Sequence, residues 1–405
     1  MNRTIVLVAL VTLFTGGLSA ASADDDDEGR LKIGGDMRGR IEIFRFSKDE
    51  TGAKKDSRGR LRYRFRLNGK VNINSRADFK FRLVSGSDSR SGNQTLGSPV
   101  DFAPNLFGIR YAYMILTPWE DGKLPNSKGN WAFHFGRVVN PFIWKGGIDK
   151  MVWDNDIALA GASTVFDYRL GASTKLSVNA GYYQIDENSS GLDPHFSAAQ
   201  LRLEGGGNTL SAGIRGSYYY FAELDSNFVQ RGVDGEGGVT ASGGNVPDGL
   251  TGSRYGGKLE AIETQAYVKA KAGKVPLVLY GGYSDNLSAE PSQMFPGVGK
   301  ESVAYNVGIE GGDKKKWIKL GTAWYHIEAN AFPSQFIDSD FLDGHTNRQG
   351  LLVYFQRRVL KNTDFNIQLF GSDAIESDDR DDSGLDPSVK NSERVRLQVD
   401  LVYKF

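Results

Sequence analysis

From Arg30 onward, apolar and polar residues alternate in stretches of about ten residues, each followed by a break. A period of two places alternate side chains on opposite faces and is the pattern of strands with one apolar and one polar side. It predicts strands near 30–46, 58–73, 77–86, 105–117, 131–139, 164–171, 175–186 and 195–204. A second set falls near 208–221, 258–271, 276–285, 302–311, 316–328, 349–359, 364–372 and 393–405, which makes sixteen. The breaks also alternate. Asn74-Ser75-Arg76, Gly205-Gly206-Gly207 and Gly273-Lys274 are short, whereas 47–57, 87–104, 140–163, 222–257 and 329–348 are long. An even strand number with short turns at one end and long loops at the other is the pattern of bacterial outer-membrane barrels, whose short turns are periplasmic and whose long loops are extracellular. The expected fold is all-β: a transmembrane, antiparallel, up-and-down β-barrel of about 16 strands.

The direction of each face follows from its charge. In the last strand Val395, Leu397, Val399, Leu401, Tyr403 and Phe405 share one face, and Arg394, Arg396, Gln398, Asp400 and Lys404 the other. The second face is too charged for a packed core and suits a wet lumen, with the first turned to lipid. Leu176, Val178, Ala180 and Tyr182 oppose Ser177 and Asn179 in the same way. The stretch 275–283 is less regular, because Pro276 and Val278 interrupt the alternation. After residue 23 no apolar run approaches the roughly 20 residues of a membrane-spanning helix. The first 23 residues have Arg3, an apolar run from Thr4 to Phe14 and Ala21-Ser22-Ala23 before Asp24, the pattern of a cleavable signal peptide. The expected mature barrel is 24–405.

Composition adds exclusions. There is no cysteine, so disulfides, iron–sulfur clusters and thiol catalysis are ruled out. The 49 basic and 49 acidic residues cancel, so global charge points to no nucleic-acid partner and function rests on how the charges are arranged. Fifty glycines, 17 Tyr and 23 Phe fit a strand-rich chain with many turns.

One arrangement stands out. Arg60, Arg62, Arg64 and Arg66 occupy every second position of the second strand, between Leu61, Tyr63 and Phe65. A cation at the bilayer midplane on the lipid face costs about 2–4 kcal/mol, so four together would cost on the order of a domain's whole stability. They must face the lumen. Arg38, Arg40 and Glu42 on the first strand, and Asp78, Lys80 and Arg82 on the third, extend the set into a basic wall that requires counter-charge.

Particular segments resemble the Gram-negative "putative porin" family. These are Gly136-Arg137-Val138-Val139-Asn140-Pro141-Phe142 leading to Met151-Val152-Trp153-Asp154-Asn155-Asp156-Ile157, Gly321-Thr322-Ala323-Trp324-Tyr325-His326-Ile327-Glu328 followed by Asp338-Ser339-Asp340-Phe341, and Arg396-Leu397-Gln398-Val399-Asp400-Leu401. Where that family usually has Glu-Gly after the aspartate motif, this chain has Leu159-Ala160-Gly161-Ala162. The resemblance implies an outer-membrane channel without a cofactor, passing small hydrophilic solutes and ions. General porins fold their third extracellular loop inward against a basic wall; by that resemblance 140–163 is a candidate constriction loop, with Asp149, Asp154 and Asp156 opposite the arginines. Such a wall favours anions. The competing reading pairs the arginines with lumenal carboxylates on other strands, such as Asp167, Glu204, Glu263 and Glu310. Phe405 at the end of an amphipathic strand is similar to the signal read by the barrel assembly machinery. Outer-membrane lipid and lipopolysaccharide are the expected surroundings, and a homotrimer the common assembly of such barrels.

Other classes fare worse. Only His134, His195, His326 and His345 could serve as imidazole bases, and no Gly-x-Ser-x-Gly or His-Glu-x-x-His is present, which argues against an enzyme. The acidic run 376–382 lacks the glycine and closing glutamate of a calcium loop, so no metal is expected. A barrel sheathing an electron-transfer conduit remains an alternative.

Overall fold

The computed structural model describes residues 30–46, 57–86, 88–97, 107–126, 128–144, 151–187, 193–224, 245, 257–291, 299–341, 344–375 and 393–405. The candidate signal peptide, Asp149, most of 222–257 and the acidic run 376–382 lie outside them.

The strands are β1 Leu31–Phe46, β2 Arg58–Asn74, β3 Ala77–Ser85, β4 Gln94–Thr95, β5 Phe107–Leu116, β6 Gly129–Val139, β7 Ala158–Arg169, β8 Thr174–Gln184 and β9 His195–Gly206. They continue as β10 Leu210–Leu224, β11 Gly257–Ala272, β12 Val275–Asn286, β13 Val303–Gly312, β14 Lys319–Ile327, β15 Arg348–Leu360, β16 Thr363–Ala374 and β17 Arg394–Lys404. Apart from β4, successive strands pair antiparallel, β3 with β5, and β17 pairs with β1 from Asp36↔Lys404 to Phe46↔Arg394, which closes the sheet. β4 is two residues long and shares one place in the wall with β3, since both pair with β2. The barrel therefore has sixteen staves. Closure leaves no unpaired strand edge, the condition for crossing lipid with β structure.

Polarity sorts as period two requires. On β1, Met37 and Ile41 are half exposed on the outside, while Asp36, Arg38, Arg40 and Glu42 are buried inside. β17 repeats this with Leu401 and Tyr403 outside and Arg396, Gln398 and Asp400 inside. The irregular segment at Pro276 is an ordinary strand, paired in unbroken register with β11 and β13.

The starts of two strands depart most from expectation. β7 starts at Ala158 rather than 164, because Ala158-Leu159-Ala160-Gly161-Ala162 pairs with Val139–Phe135. These small residues carry no polarity contrast, yet close packing needs them: a Cβ on Gly161 would lie 2.1 Å from the Tyr182 carbonyl oxygen. β14 starts at Lys319 rather than 316, because Asp313 accepts hydrogen bonds from the Lys316 and Trp317 N–H groups and holds a turn.

A larger departure concerns the inner face. The lumen is not wet throughout. Tyr183, Phe196, Tyr219 and Phe221 on β8, β9 and β10 point inward and are buried to 1% exposure or less. What covers them comes from the loops.

Candidate functional site

Two long connections turn into the barrel. From the β6–β7 connection, Phe142, Met151, Val152 and Trp153 are fully buried. The Trp153 ring lies 5.5 Å from Tyr219, 5.3 Å from Phe332 and 5.2 Å from Phe336, and its indole N–H donates to the Tyr219 hydroxyl at 3.1 Å. Phe332 and Phe336 belong to the β14–β15 connection, so the two loops share one aromatic cluster with the barrel wall. Burying several rings in contact with one another is among the strongest local sources of stability a protein has.

The wall also holds the first loop by its backbone. Asn179 donates to the Pro141 carbonyl at 2.9 Å, Gln200 to the Phe142 carbonyl at 2.8 Å, and Arg215 to that same carbonyl. Arg215 is paired at 2.8 Å with Glu263, both side chains fully buried, and Glu263 accepts from Tyr219 at 2.8 Å. The second loop is pinned from two sides. Between Ser85 and Gln94 the chain leaves the wall, and Arg90 reaches from this excursion to the carbonyls of Ser334, Ile337 and Gly344 at 3.0–3.3 Å. Asn245, fully buried, donates to the carbonyls of Ala329 and Phe332 and accepts from the Ser334 N–H. Ser85 bridges the excursion, donating to the Gly92 carbonyl at 3.0 Å and accepting from the Phe65 N–H at 2.8 Å.

The loops meet at a seam. Asp154 accepts from the Ser339 N–H at 2.8 Å and the Asp156 N–H at 2.7 Å, and its own N–H donates to the Phe336 carbonyl. Burial, and then the neighbouring carboxylates of Asp338 and Asp156, push the Asp154 carboxyl well above its usual range. Asp338 accepts from the N–H groups of Asp340 and Phe341, a turn that presents the Asp340 carboxylate towards β1 and β17.

Opposite this seam stands the arginine wall. Register across β1 and β2 sets Arg38 against Arg64, Arg40 against Arg62, Glu42 against Arg60 and Asp36 against Arg66. Like charges directly across a strand pair repel, so each guanidinium requires an anion nearby. Asp36 holds Arg64 at 2.9 Å and Arg66 at 2.7 Å. Glu42 accepts from Arg60 and Arg396 and lies 3.5 Å from Arg62. Asp400 holds Arg40 at 2.6 Å and lies 3.6 Å from Arg38. The loops supply the rest: Asp340 reaches Arg40 at 3.0 Å and Arg396 at 3.2 Å, and Asp156 reaches Arg66 at 3.5 Å. Guanidiniums in such forks present fixed N–H donors.

The predicted residues thus fall into three groups. Arg38, Arg40, Arg60, Arg62, Arg64 and Arg66 form one network. Lys80 and Arg82 lie nearer the short-turn end, where Lys80 faces Lys70 across the ladder and Arg82 donates to Asn68 at 2.6 Å. Of the loop aspartates, Asp156 meets the wall, Asp154 braces the seam instead, and Asp149 lies outside the described residues. Asp167, Glu204, Glu263 and Glu310 pair elsewhere, with Lys175, Arg202, Arg215 and Lys319 at 2.7–3.1 Å. Counter-charge for the arginines comes from Asp36, Glu42 and Asp400 in the wall and from Asp156 and Asp340 in the loops, and the strand pattern could not connect Asp36, Asp400 or Asp340 to them. Phe405 sits at the closing pair of strands. Its N–H and carbonyl bond to Gly35 at 3.1 and 2.9 Å, and its ring stacks on Phe65 at 6.1 Å. A Cβ on Gly35 would fall 2.2 Å from the Arg66 carbonyl oxygen and 2.7 Å from that ring, so the closure requires glycine.

Comparison with known proteins adds the following. Residues 47–202 match the family model described as "Putative porin". None of the curated proteins matches the chain. Among solved structures, Pseudomonas putida OprB aligns over 93% of this chain and 95% of its own, with TM-score 0.56 and 11% identity. Salmonella typhi OmpF aligns over 93% and 97%, with TM-score 0.49 and 11% identity. The outer membrane channel DcaP of Acinetobacter baumannii aligns over 93% and 97%, with TM-score 0.48 and 12% identity. The likeness to OprB is one of fold: a closed antiparallel barrel of sixteen strands with essentially no helix.

Proposed function

We propose that this barrel lies in the bacterial outer membrane and is a passive channel for small hydrophilic solutes, with a preference for anions and without catalysis. A single observation carries the reading. Inside a closed barrel, aromatic packing fills the lumen beside β8, β9 and β10, and a wall of inward-facing arginines lines β1, β2 and β17. The match of residues 47–202 to the porin family supports it.

A hydrated passage against such a wall concentrates anions and retards cations, as rings of basic side chains do in anion pores. The transverse arrangement, arginines on β1, β2 and β17 against Asp340 and Asp156 on the loops, also orients solutes that carry a dipole. Residues 1–23 direct export and are removed, Phe405 engages the assembly machinery, and lipopolysaccharide surrounds a barrel that assembles as a trimer. The test is the reversal potential of purified protein in planar bilayers under a salt gradient. Chloride preference is expected, and replacing Arg62 and Arg64 by serine is expected to reduce it. A protein that conducts no current would defeat the channel reading, and unchanged selectivity in the variant would defeat the role of the arginines.

A further inference from the structure

At the short-turn end, cations crowd onto one flank of the barrel. The β13–β14 turn carries Lys314-Lys315-Lys316, while β15 ends in Arg357-Arg358-Val359-Leu360 and its turn to β16 begins with Lys361. The two turns form one surface, since the Arg358 N–H donates to the Lys314 carbonyl at 2.7 Å. Three cations of this end already have an anion: Arg358, Lys314 and Lys404 share the buried Asp364 carboxylate at 2.8, 3.2 and 3.7 Å. Four others do not. Lys315, Lys316, Arg357 and Lys361 are exposed, and no carboxylate among the described residues lies within ion-pair distance of them. The β13–β14 turn is fixed in place, because the Asp313 carboxylate accepts from the Lys315 N–H at 2.9 Å and its carbonyl accepts from the N–H groups of Lys316 and Trp317.

Large apolar side chains stand exposed among these cations. Trp317 is 66% exposed and Leu360 68%. Arg357 shares the outer face of β15 with the exposed Leu351, Val353 and Val359, so its guanidinium leaves the barrel in the row that meets lipid. A cation in that row is tolerated near the end of the strand, where it can meet a headgroup, and not at the bilayer centre. Basic heads beside tryptophan and leucine, at the level where the strands end, are the composition of a surface that sits on anionic lipid. On the opposite flank the β5–β6 connection carries Glu120 and Asp121, and Asp121 pairs with Lys123 at 3.4 Å, so the basic patch is confined to one side. The acidic run Asp24-Asp25-Asp26-Asp27-Glu28 of the chain itself is a rival source of negative charge. It holds no group to cover Trp317 and Leu360, whereas a phospholipid brings phosphate and acyl chain together.

Resting on the outer-membrane reading above, we infer that the β13–β14 and β15–β16 turns form a docking surface for anionic phospholipid of the periplasmic leaflet. Lys315, Lys316, Arg357 and Lys361 meet the phosphates, and Trp317 and Leu360 enter the boundary between headgroups and acyl chains. Each cation held near an anionic surface is worth about a fivefold preference for it, and salt screens the effect. The surface ties one flank of the barrel to the headgroup level, at the end away from the long loops.

The experiment reads the emission of Trp317, taken in each background as the difference from the same protein carrying W317F. The barrel is reconstituted in phosphatidylcholine vesicles holding an equal, minor fraction of either brominated phosphatidylglycerol or brominated phosphatidylcholine. Bromine quenches tryptophan on contact, so quenching reports which lipid lies beside it. Brominated phosphatidylglycerol is expected to reach half-maximal quenching at a mole fraction at least about fivefold lower than brominated phosphatidylcholine. Combining K315Q, K316Q, R357Q and K361Q is expected to make the two lipids equal, whereas K315R, K316R and K361R together keep the preference. Equal quenching by the two lipids in the unmodified protein, or a preference that survives the four glutamines, overturns the docking surface. A preference that emerges only with D24N, D25N, D26N, D27N and E28Q makes the acidic run the occupant and overturns the lipid as well. Quenching by neither lipid means that the barrel does not enter the bilayer, and overturns the outer-membrane reading instead.

Discussion

Trp153 joins the two inward loops to the wall, and its replacement by alanine tests whether they are held there by packing. The indole is fully buried and contacts Phe196, Tyr219, Phe332 and Phe336 at ring separations of 5.2–5.9 Å. Truncating a large aromatic in such a setting costs about 3–5 kcal/mol, which includes the cavity left behind and the hydrogen bond lost to Tyr219. The ladder bonds of the wall do not involve Trp153, so the loss falls on loop docking rather than on the barrel, the pattern of a local opening. At about 1.4 kcal/mol per factor of ten, a loss of about 4 kcal/mol multiplies the undocked population by about a thousand. W153A is therefore expected to give larger and noisier single-channel currents and to admit larger neutral solutes, while the strand signal in circular dichroism is unchanged. W153F, which keeps the ring packing and loses the N–H donor, is expected to stay near the unmodified protein. Currents of unchanged size, noise and size cut-off in W153A would refute the claim that the cluster holds the loops.

Three further outcomes follow from the same geometry. E263Q removes the carboxylate paired at 2.8 Å with the fully buried Arg215, and is expected to lower the thermal transition measured by circular dichroism and to loosen the loop at Phe142. D340N removes a carboxylate at the passage while Arg40 keeps Asp400 and Arg396 keeps Glu42, so chloride selectivity is expected to rise; a reversal potential equal to that of the unmodified channel would place Asp340 off the ion path. The raised Asp154 carboxyl makes the seam sensitive to pH. A carboxyl raised in the docked state above its ordinary 3.8 contributes stability that is fully present below that value and is lost as pH rises through the raised one. Current noise is therefore expected to grow with rising pH across that window and to become independent of it in D154N, which keeps an acceptor for the Ser339 N–H.

The barrel itself was legible in the sequence, because period-two alternation in Met37, Ile41 and their neighbours against Arg38 and Arg40 depends on local order alone. So was the arginine ladder, whose four members share a strand. What fills the lumen was not. Tyr218 and Tyr219 stand on opposite faces of β10, one at the lipid side and one fully buried, and tyrosine suits either setting. The partners of Trp153 lie some 40 to 180 positions away along the chain, beyond the reach of any local pattern. Asp340 belonged to a segment recognised only by resemblance, and its meeting with Arg40 follows from the closure of β1 on β17. The small residues that begin β7 left no mark in the alternation, since alanine and glycine are as acceptable in a loop as against a neighbouring strand.

The aromatic filling of the lumen has a consequence for biogenesis. Phe332, Phe336 and Trp153 come from connections at the long-loop end, yet they seat on residues of the inner wall that exist as a surface only once β8, β9 and β10 are aligned. The loops can therefore seat only once β8, β9 and β10 have aligned, so their docking is a later step than the pairing of those strands. A variant that weakens the seat, such as W153A, is therefore expected to slow the last phase of refolding into detergent micelles, followed by near-ultraviolet circular dichroism, while strand formation keeps its rate.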